Sequence, residues 1–338
     1  MAFFDLNEEE LRSFQPRVAE PSDFDQFWAR TLAQTTAFPL DLTLTPIAAG
    51  LQLVQIFDVE FAGFAADRIK AWLIMPAGAQ PASLPGLVSY VGYGGGRGLS
   101  QEHLVWANAG FAHLVMDTRG QGSVWGSGGH TPDPAGSGPA VPGFLTKGIE
   151  DPENYYYRRV FADAVRAVAA LRAVPQVDAA RVSVTGVSQG GGISLAVGGL
   201  VPDLFAVMPD VPFLCNMRRA TEITDATPYY EVTQYLATHR DATDTVFNTL
   251  SYFDGVNFAK RATAPTLFSV ALMDPVCPPS TVFSAFNTYG SLGETPERAI
   301  EIYPYNRHEG GQFFQVLAQL RWLTDRLKPS SSIQEHNG

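Results

Sequence analysis

The chain has no surplus of positive charge: 23 Lys and Arg stand against 34 Asp and Glu, a net charge of −11 over 338 residues. A protein that neutralises phosphates needs a basic face, so nucleic acid is not an expected partner. Cysteine is scarce as well. Cys215 and Cys277 cannot make a disulfide framework, although one bridge between them stays open. No apolar run reads as a membrane span, because the uncharged stretch 71–96 collects Pro76, Pro81, Pro85, Gln80 and Ser83. The start carries Asp5, Glu8, Glu9 and Glu10 where a secretory leader would be basic and then apolar. No repeat of fixed period occurs, and the one low-complexity run, Ser330-Ser331-Ser332, lies in a tail (329–338) expected to fray. These absences lead to the expectation of a soluble, cytoplasmic protein without a membrane partner. What is present is a globular composition, 46% hydrophobic and 17% charged.

The apolar pattern has two rhythms. Residues 21–35 repeat Phe24, Phe27 and Trp28 at helical spacing after a candidate cap at Ser22, which makes 1–40 a helical N-terminal extension. The alternating runs 51–61 and 68–75 read as antiparallel strands. Short runs without polar alternation then follow at 86–91, 111–116, 181–185, 205–208 and 265–272, with a weaker one at 300–303. Strands buried on both faces look like this. Helical patterns at 99–109, 155–173, 190–201, 280–289 and 311–327 separate them. The alternation predicts a single α/β domain, a mostly parallel twisted sheet with helices on both faces. Two segments interrupt it. Residues 118–153 form a connection with nine glycines and five prolines, and 213–261 read as a helical insertion expected to roof the strand ends.

Gly186-Val187-Ser188-Gln189-Gly190 is a G-x-S-x-G pentapeptide set between a predicted strand and a predicted helix. Its glycines suit the sharp turn that exposes a nucleophilic serine. A serine hydroxyl needs a base and an orienting acid. Among six histidines, His308 follows the last strand candidate, and Asp274 follows the strand at 265–272. The order Ser188, Asp274, His308 is that of α/β-hydrolases. An oxyanion hole needs two fixed N–H donors. Gln189, next to the nucleophile, supplies one, and Tyr93, in Gly92-Tyr93-Gly94-Gly95-Gly96, is the choice for the other.

Taken together, Asp117-Thr118-Arg119-Gly120-Gln121-Gly122, the Gly-x-Ser-Gln-Gly pentapeptide and His308-Glu309 resemble the signatures of the acetyl xylan esterase / cephalosporin C deacetylase family, carbohydrate esterase family 7. Gly148-Ile149-Glu150-Asp151-Pro152 and Cys277-Pro278-Pro279-Ser280 support the likeness, which runs from Asp23 to about Leu327. Many members have His-Gly-Tyr where this chain has Val91-Gly92-Tyr93, a change expected to alter pocket polarity more than competence, since the oxyanion donor is a backbone group. The resemblance implies an α/β-hydrolase fold and no cofactor or metal. It also implies a ring-like homohexamer that deacetylates small acetylated sugars such as xylo-oligosaccharides, and cephalosporin C. It suggests Tyr93, Trp106, Pro228 and Val276 as walls of the acyl pocket. Arg119, Gln121 and Glu309 are expected to brace the site rather than touch substrate. Tyr155, Tyr156 and Tyr157 are expected to pack in a core or interface. Other readings remain open: a broad carboxylesterase or peptidase of the same fold, or a hydrolase fold kept as a binding module.

Overall fold

A computed structural model describes residues 3–135 and 143–328; the tail expected to fray lies outside them. Nine strands form one sheet: β1 (Thr43–Pro46), β2 (Val54–Ala62), β3 (Arg68–Pro76), β4 (Leu84–Tyr90), β5 (Ala112–Met116), β6 (Val177–Val187), β7 (Ala206–Asp210), β8 (Thr266–Ala271) and β9 (Arg298–Tyr303). Their order is β1-β2-β3-β5-β4-β6-β7-β8-β9. The first three strands and β5 pair antiparallel, and every pairing from β5 through β4 to β9 is parallel. The helices are α1 (Glu8–Ser13), α2 (Phe24–Thr36), α3 (Leu104–Asn108), α4 (Tyr156–Arg172), α5 (Gln189–Leu200), α6 (Met217–Ile223), α7 (Tyr229–Thr238), α8 (Thr243–Ser251), α9 (Gly255–Ala259), α10 (Pro279–Thr288) and α11 (Phe313–Leu327).

Successive side chains of a strand point to opposite faces, and here both faces are dry. Val88, Val184, Val207 and Phe268 join the large core with α2, α4, α5, α9 and α10. Their neighbours Leu87, Ala206, Met208 and Leu267 pack with Trp106, Phe111 and Leu323 on the other side, under α3 and α11. This double burial is why the central strands lack polar alternation. Among the described residues, no helix is long and apolar enough to cross a membrane.

Several boundaries differ from expectation. Ser22 does not cap α2; Asp23 precedes the helix, and its carboxylate accepts the Tyr252 hydroxyl at 2.6 Å instead. The pattern at 99–109 starts as a 3₁₀ turn (Ser100–His103) before α3. The insertion reaches the strand ends and also adds to the core. Phe258 of α9 packs edge-on against Phe24 and Trp28 of α2, within the core, while Phe213 and the segment entering α7 reach the strand ends.

Candidate active site

The site sits where β4, β6 and β8 end and the chain turns into loops. β6 runs into α5 through Ser188, held at φ 58°, ψ −117°. A side chain at Gly190 would meet the Tyr90 carbonyl oxygen at 2.1 Å, so only glycine lets the turn approach β4 this closely. The backbone of Ser188 is pinned: its N–H donates to the Asp210 carbonyl at 2.9 Å, and its carbonyl accepts Gly192 N–H at 3.0 Å and Phe213 N–H at 2.9 Å. These bonds hold a conformation that an L-residue otherwise avoids.

The serine hydroxyl lies 2.9 Å from His308 Nε2, and His308 Nδ1 lies 2.8 Å from Asp274 Oδ2. With the proton on Nδ1, Ser188 donates to Nε2 and His308 donates to Asp274. The other Asp274 oxygen accepts the N–H groups of Val276 at 2.8 Å and Cys277 at 3.0 Å, which fixes the carboxylate plane. Asp274 is fully buried, while the His308 side chain keeps 30% of its surface open toward the cavity. That cavity, about 360 Å³, is walled by Tyr93, Trp125, Val187, Pro228 and Val276 around Ser188 and His308.

Tyr93 is anchored at three points. Its hydroxyl donates to the Glu231 carboxylate at 2.7 Å and accepts Phe144 N–H at 2.5 Å. Its carbonyl accepts the Trp125 indole N–H at 2.6 Å, and its ring meets Phe144 and Phe213 edge-on. Trp125 lies flat on the glycine run: a side chain at Gly95 would meet its Cζ2 at 2.4 Å. Gln189 opens α5, where the first N–H groups have no helical acceptor. Both segments expected to supply oxyanion donors thus border Ser188: Tyr93 lines its cavity and Gln189 follows it in the chain.

A family model for acetyl xylan esterases (AXE1) matches residues 1–326. The chain belongs to the acetyl xylan esterase family. It is 28% identical over 323 residues to the acetyl esterase Axe7A of Xylanibacter ruminicola, covering 93% of this chain and 69% of that one. The acetyl xylan esterase of Paenibacillus sp. R4 superposes with a TM-score of 0.88 at 37% identity, covering 95% of this chain and 99% of that chain. Acetyl xylan esterase 1 of Thermoanaerobacterium sp. JW/SL YS485 does so at 0.87 and 31% identity, covering 96% and 100%. The α/β-hydrolase fold is therefore that of the acetyl xylan esterases, and the chain is a carboxylic ester hydrolase of that family.

The family's Arg-Gly-Gln segment lies beneath the site. Arg119 is fully buried; its guanidinium grips Asp163 of α4 through two bonds of 2.6 and 2.8 Å and reaches Asp67 at 2.8 Å. Gln121 and Gln189 exchange amide bonds at 2.8 and 3.2 Å, and Gln121 also accepts Gly94 N–H at 2.7 Å. The Ser188 turn and the Tyr93 loop are locked together through these two amides. The three tyrosines are fully buried, and the hydroxyls of Tyr156 and Tyr157 serve this network, donating to the Arg119 carbonyl and to Gln189 Oε1.

One expectation needs correction, one open possibility is closed and one expectation is narrowed. Trp106 does not wall the cavity around Ser188 and His308. It sits on α3, packs edge-on against Phe111 and lines a neighbouring cavity of about 320 Å³ that shares Gly92, Trp125 and Val187 with the first. The reason is facing: Trp106 follows β4 by a whole loop and a 3₁₀ turn, which carry it to the α11 side of the sheet. The bridge left open between Cys215 and Cys277 is not made; both are free and buried. Glu309 is exposed and does not touch the imidazole, but its carboxylate accepts Asn306 Nδ2 at 3.1 Å and Arg307 N–H at 3.2 Å, so it braces the loop that carries the base.

Asp274, Cys277 and His308 bring an oxygen, a sulfur and a ring nitrogen within 4.8 Å of one another. Two of these residues are already paired with each other, and burial pushes the Cys277 thiol well up, which keeps it protonated. Sequence reasoning missed Trp125 and Glu231. A lone tryptophan in a glycine-rich loop was the available signal for the first. Glu231 reads only as a helix first-turn acid.

Proposed function

We propose that the protein is a serine carboxylesterase that removes acetyl groups from short acetylated sugars, xylo-oligosaccharides above all, and from cephalosporin C. The observation that carries this reading is the unbroken Ser188–His308–Asp274 chain of hydrogen bonds opening onto a small cavity. Ser188 Oγ attacks the acetyl carbonyl as its proton passes to His308 Nε2. The oxyanion settles on the Tyr93 and Gln189 N–H groups, and Asp274 holds the imidazolium through Nδ1–H. His308 then gives the proton to the sugar oxygen, which leaves, and Ser188 carries the acetyl group. Water, deprotonated by the same imidazole, adds to the acetyl carbonyl, and acetate departs as Ser188 regains its proton. The cycle consumes ester and water, with no cofactor. The names of the acetyl xylan esterases it resembles support xylan-derived substrates. By resemblance the enzyme acts inside the cell, as a homohexamer whose sites face an internal space.

Ser188→Ala decides the mechanism. We expect loss of 4-nitrophenyl acetate hydrolysis, and labelling of Ser188 alone when the unmodified protein meets an organophosphonate. Full activity in the variant contradicts the triad, and an unmodified protein inert toward every acetyl ester leaves a binding module in its place.

A further inference from the structure

Four neighbouring parallel strands, β6 to β9, end on one rim of the sheet. The nucleophile follows β6, the acid follows β8 and the base follows β9. The strand between nucleophile and acid also ends in a carboxylate: Asp210 is the last residue of β7. Its backbone already serves the site, since its carbonyl accepts the N–H of Ser188. Its side chain is 5% exposed. One oxygen accepts the hydroxyl of Ser269 on β8, whose own oxygen accepts Val211 N–H at 3.0 Å.

Among the described residues no lysine or arginine is paired with this carboxylate. The groups that face it are few. Ser269 comes from β8, and Tyr303, at the end of β9, spends its hydroxyl on Gln315 Oε1 at 2.8 Å. Thr185 of β6 and Gln319 of α11 line the same cavity and bond each other at 3.3 Å. The remaining neighbour is the His308 loop. It passes so close that a side chain at Gly310 would stand 3.6 Å from Asp210 Oδ1. Glu102, His103 and His113 also line that cavity, but burial pushes both imidazoles down, His113 to about 3, which leaves His308 as the group that becomes a cation during the reaction. Burial pushes the Asp210 carboxyl up to about 6, against the pull of the Ser269 bond and of His308. The hydrogen bond from Ser269 needs only an oxygen, which an asparagine would supply. What aspartate adds is charge, and a buried charge without a partner is costly.

We propose that Asp210 is a positioning residue for the catalytic base, a second carboxylate that acts with Asp274 to favour the imidazolium of His308 as Ser188 attacks. Asp274 acts through the Nδ1–H bond and fixes the ring. Asp210 acts through space from the neighbouring strand end, in a medium where the field of one charge is weakly screened. The inference rests on the serine-esterase reading of the same site.

The test is Asp210→Asn, which keeps the oxygen for Ser269 and removes the charge. Imidazole NMR follows the titration of His308 directly, in a Ser188→Ala background where no turnover is needed. We expect its midpoint to fall when Asp210→Asn is added, because a negative charge beside the imidazolium is lost. In the otherwise unmodified enzyme, the rising limb of kcat/KM against pH moves down with it, and the plateau falls about three- to tenfold. In an Asp274→Asn background, Asp210→Asn removes at least about a further tenfold of what activity remains. A purely structural Asp210 would change the plateau and leave the midpoint in place, and that result overturns the proposal. Should Asp210→Asn fail to fold, Ser269→Ala keeps the carboxylate but withdraws the bond that favours its charged form. It must then lower the same midpoint, and an unmoved midpoint overturns the proposal equally. Absence of esterase activity in the unmodified protein would instead remove the functional reading, and the NMR titration reports independently of it.

Discussion

Glu231 sits on α7, yet it holds a tyrosine 138 positions earlier in the chain. Its carboxylate accepts the Tyr93 hydroxyl at 2.7 and 2.8 Å and Leu145 N–H at 3.1 Å. Burial nevertheless dominates and pushes its carboxyl from 4.5 up to about 7. Folding therefore takes up a proton at this residue. Its stabilising contribution is complete below about pH 4.5 and is lost as pH rises through about 7. We expect Glu231→Gln to flatten the decline in Tm between pH 5 and pH 8, removing about 1 to 3 kcal/mol of the pH-dependent difference. Equal slopes in both proteins would mean that burial does not govern this carboxyl. Residues such as Glu231 and Asp210 were illegible in the sequence because their property is a neighbour brought by the fold. The meeting of Ser188, Asp274 and His308 was legible because the chemistry proposed for them constrains what stands beside each. Glycines must flank the nucleophile, and acid and base must each follow a strand.

At the scale of elements, the proposed acyl pocket is a meeting of three segments: the loop after β4 with Tyr93, the entry to α7 with Pro228, and the turn after β8 with Val276. Each wall is held rigidly, Tyr93 by Glu231 and Trp125, Pro228 by its ring, and Val276 by its N–H bond to Asp274 at 2.8 Å. Filling space for one methyl gains only about 1–3 kcal/mol, so selectivity must come from overlap of longer chains with walls that yield little. We expect kcat/KM to fall at least about tenfold from acetate to butyrate esters of 4-nitrophenol, and Val276→Ala to narrow the gap. Equal rates on both esters would make this a broad carboxylesterase. The core strands could be read from their unbroken apolar runs, since burial on both faces erases alternation. β1 and α1 could not. β1 is four residues long and mostly exposed, and α1 buries only Leu11, so neither writes a period into the sequence.

Over the whole molecule, apolar side chains crowd the rim around the two cavities. Phe313 and Phe314 open α11 at 76% and 79% exposure, and Trp125, Val187 and Val105 stand exposed about the same cavity mouth. With the chain at −11, such a patch is unusual on a protein that works alone, because water gains by its removal whatever the net charge. A second copy that covered it would hide Phe313 and narrow the approach to Ser188 in the same step. The homohexamer proposed from the resemblance would cover such a patch, and its proposed internal space would admit oligosaccharides and exclude polymer. An assembly of this kind would leave no mark in periodicity, since an interface obeys the partner's shape rather than the chain's own repeat. Light scattering at micromolar concentration should give about 220 kDa, six chains of 36.6 kDa. Phe313→Glu together with Phe314→Glu should shift the mass toward smaller species, because two charges would have to be desolvated in the closed contact. The dissociated enzyme should then gain activity on long insoluble acetylated xylan relative to short oligosaccharides, as its site faces open solvent. A fully active monomer of 36.6 kDa in the unmodified protein would contradict the assembly, and efficient deacetylation of the polymer by that protein would contradict the enclosed site.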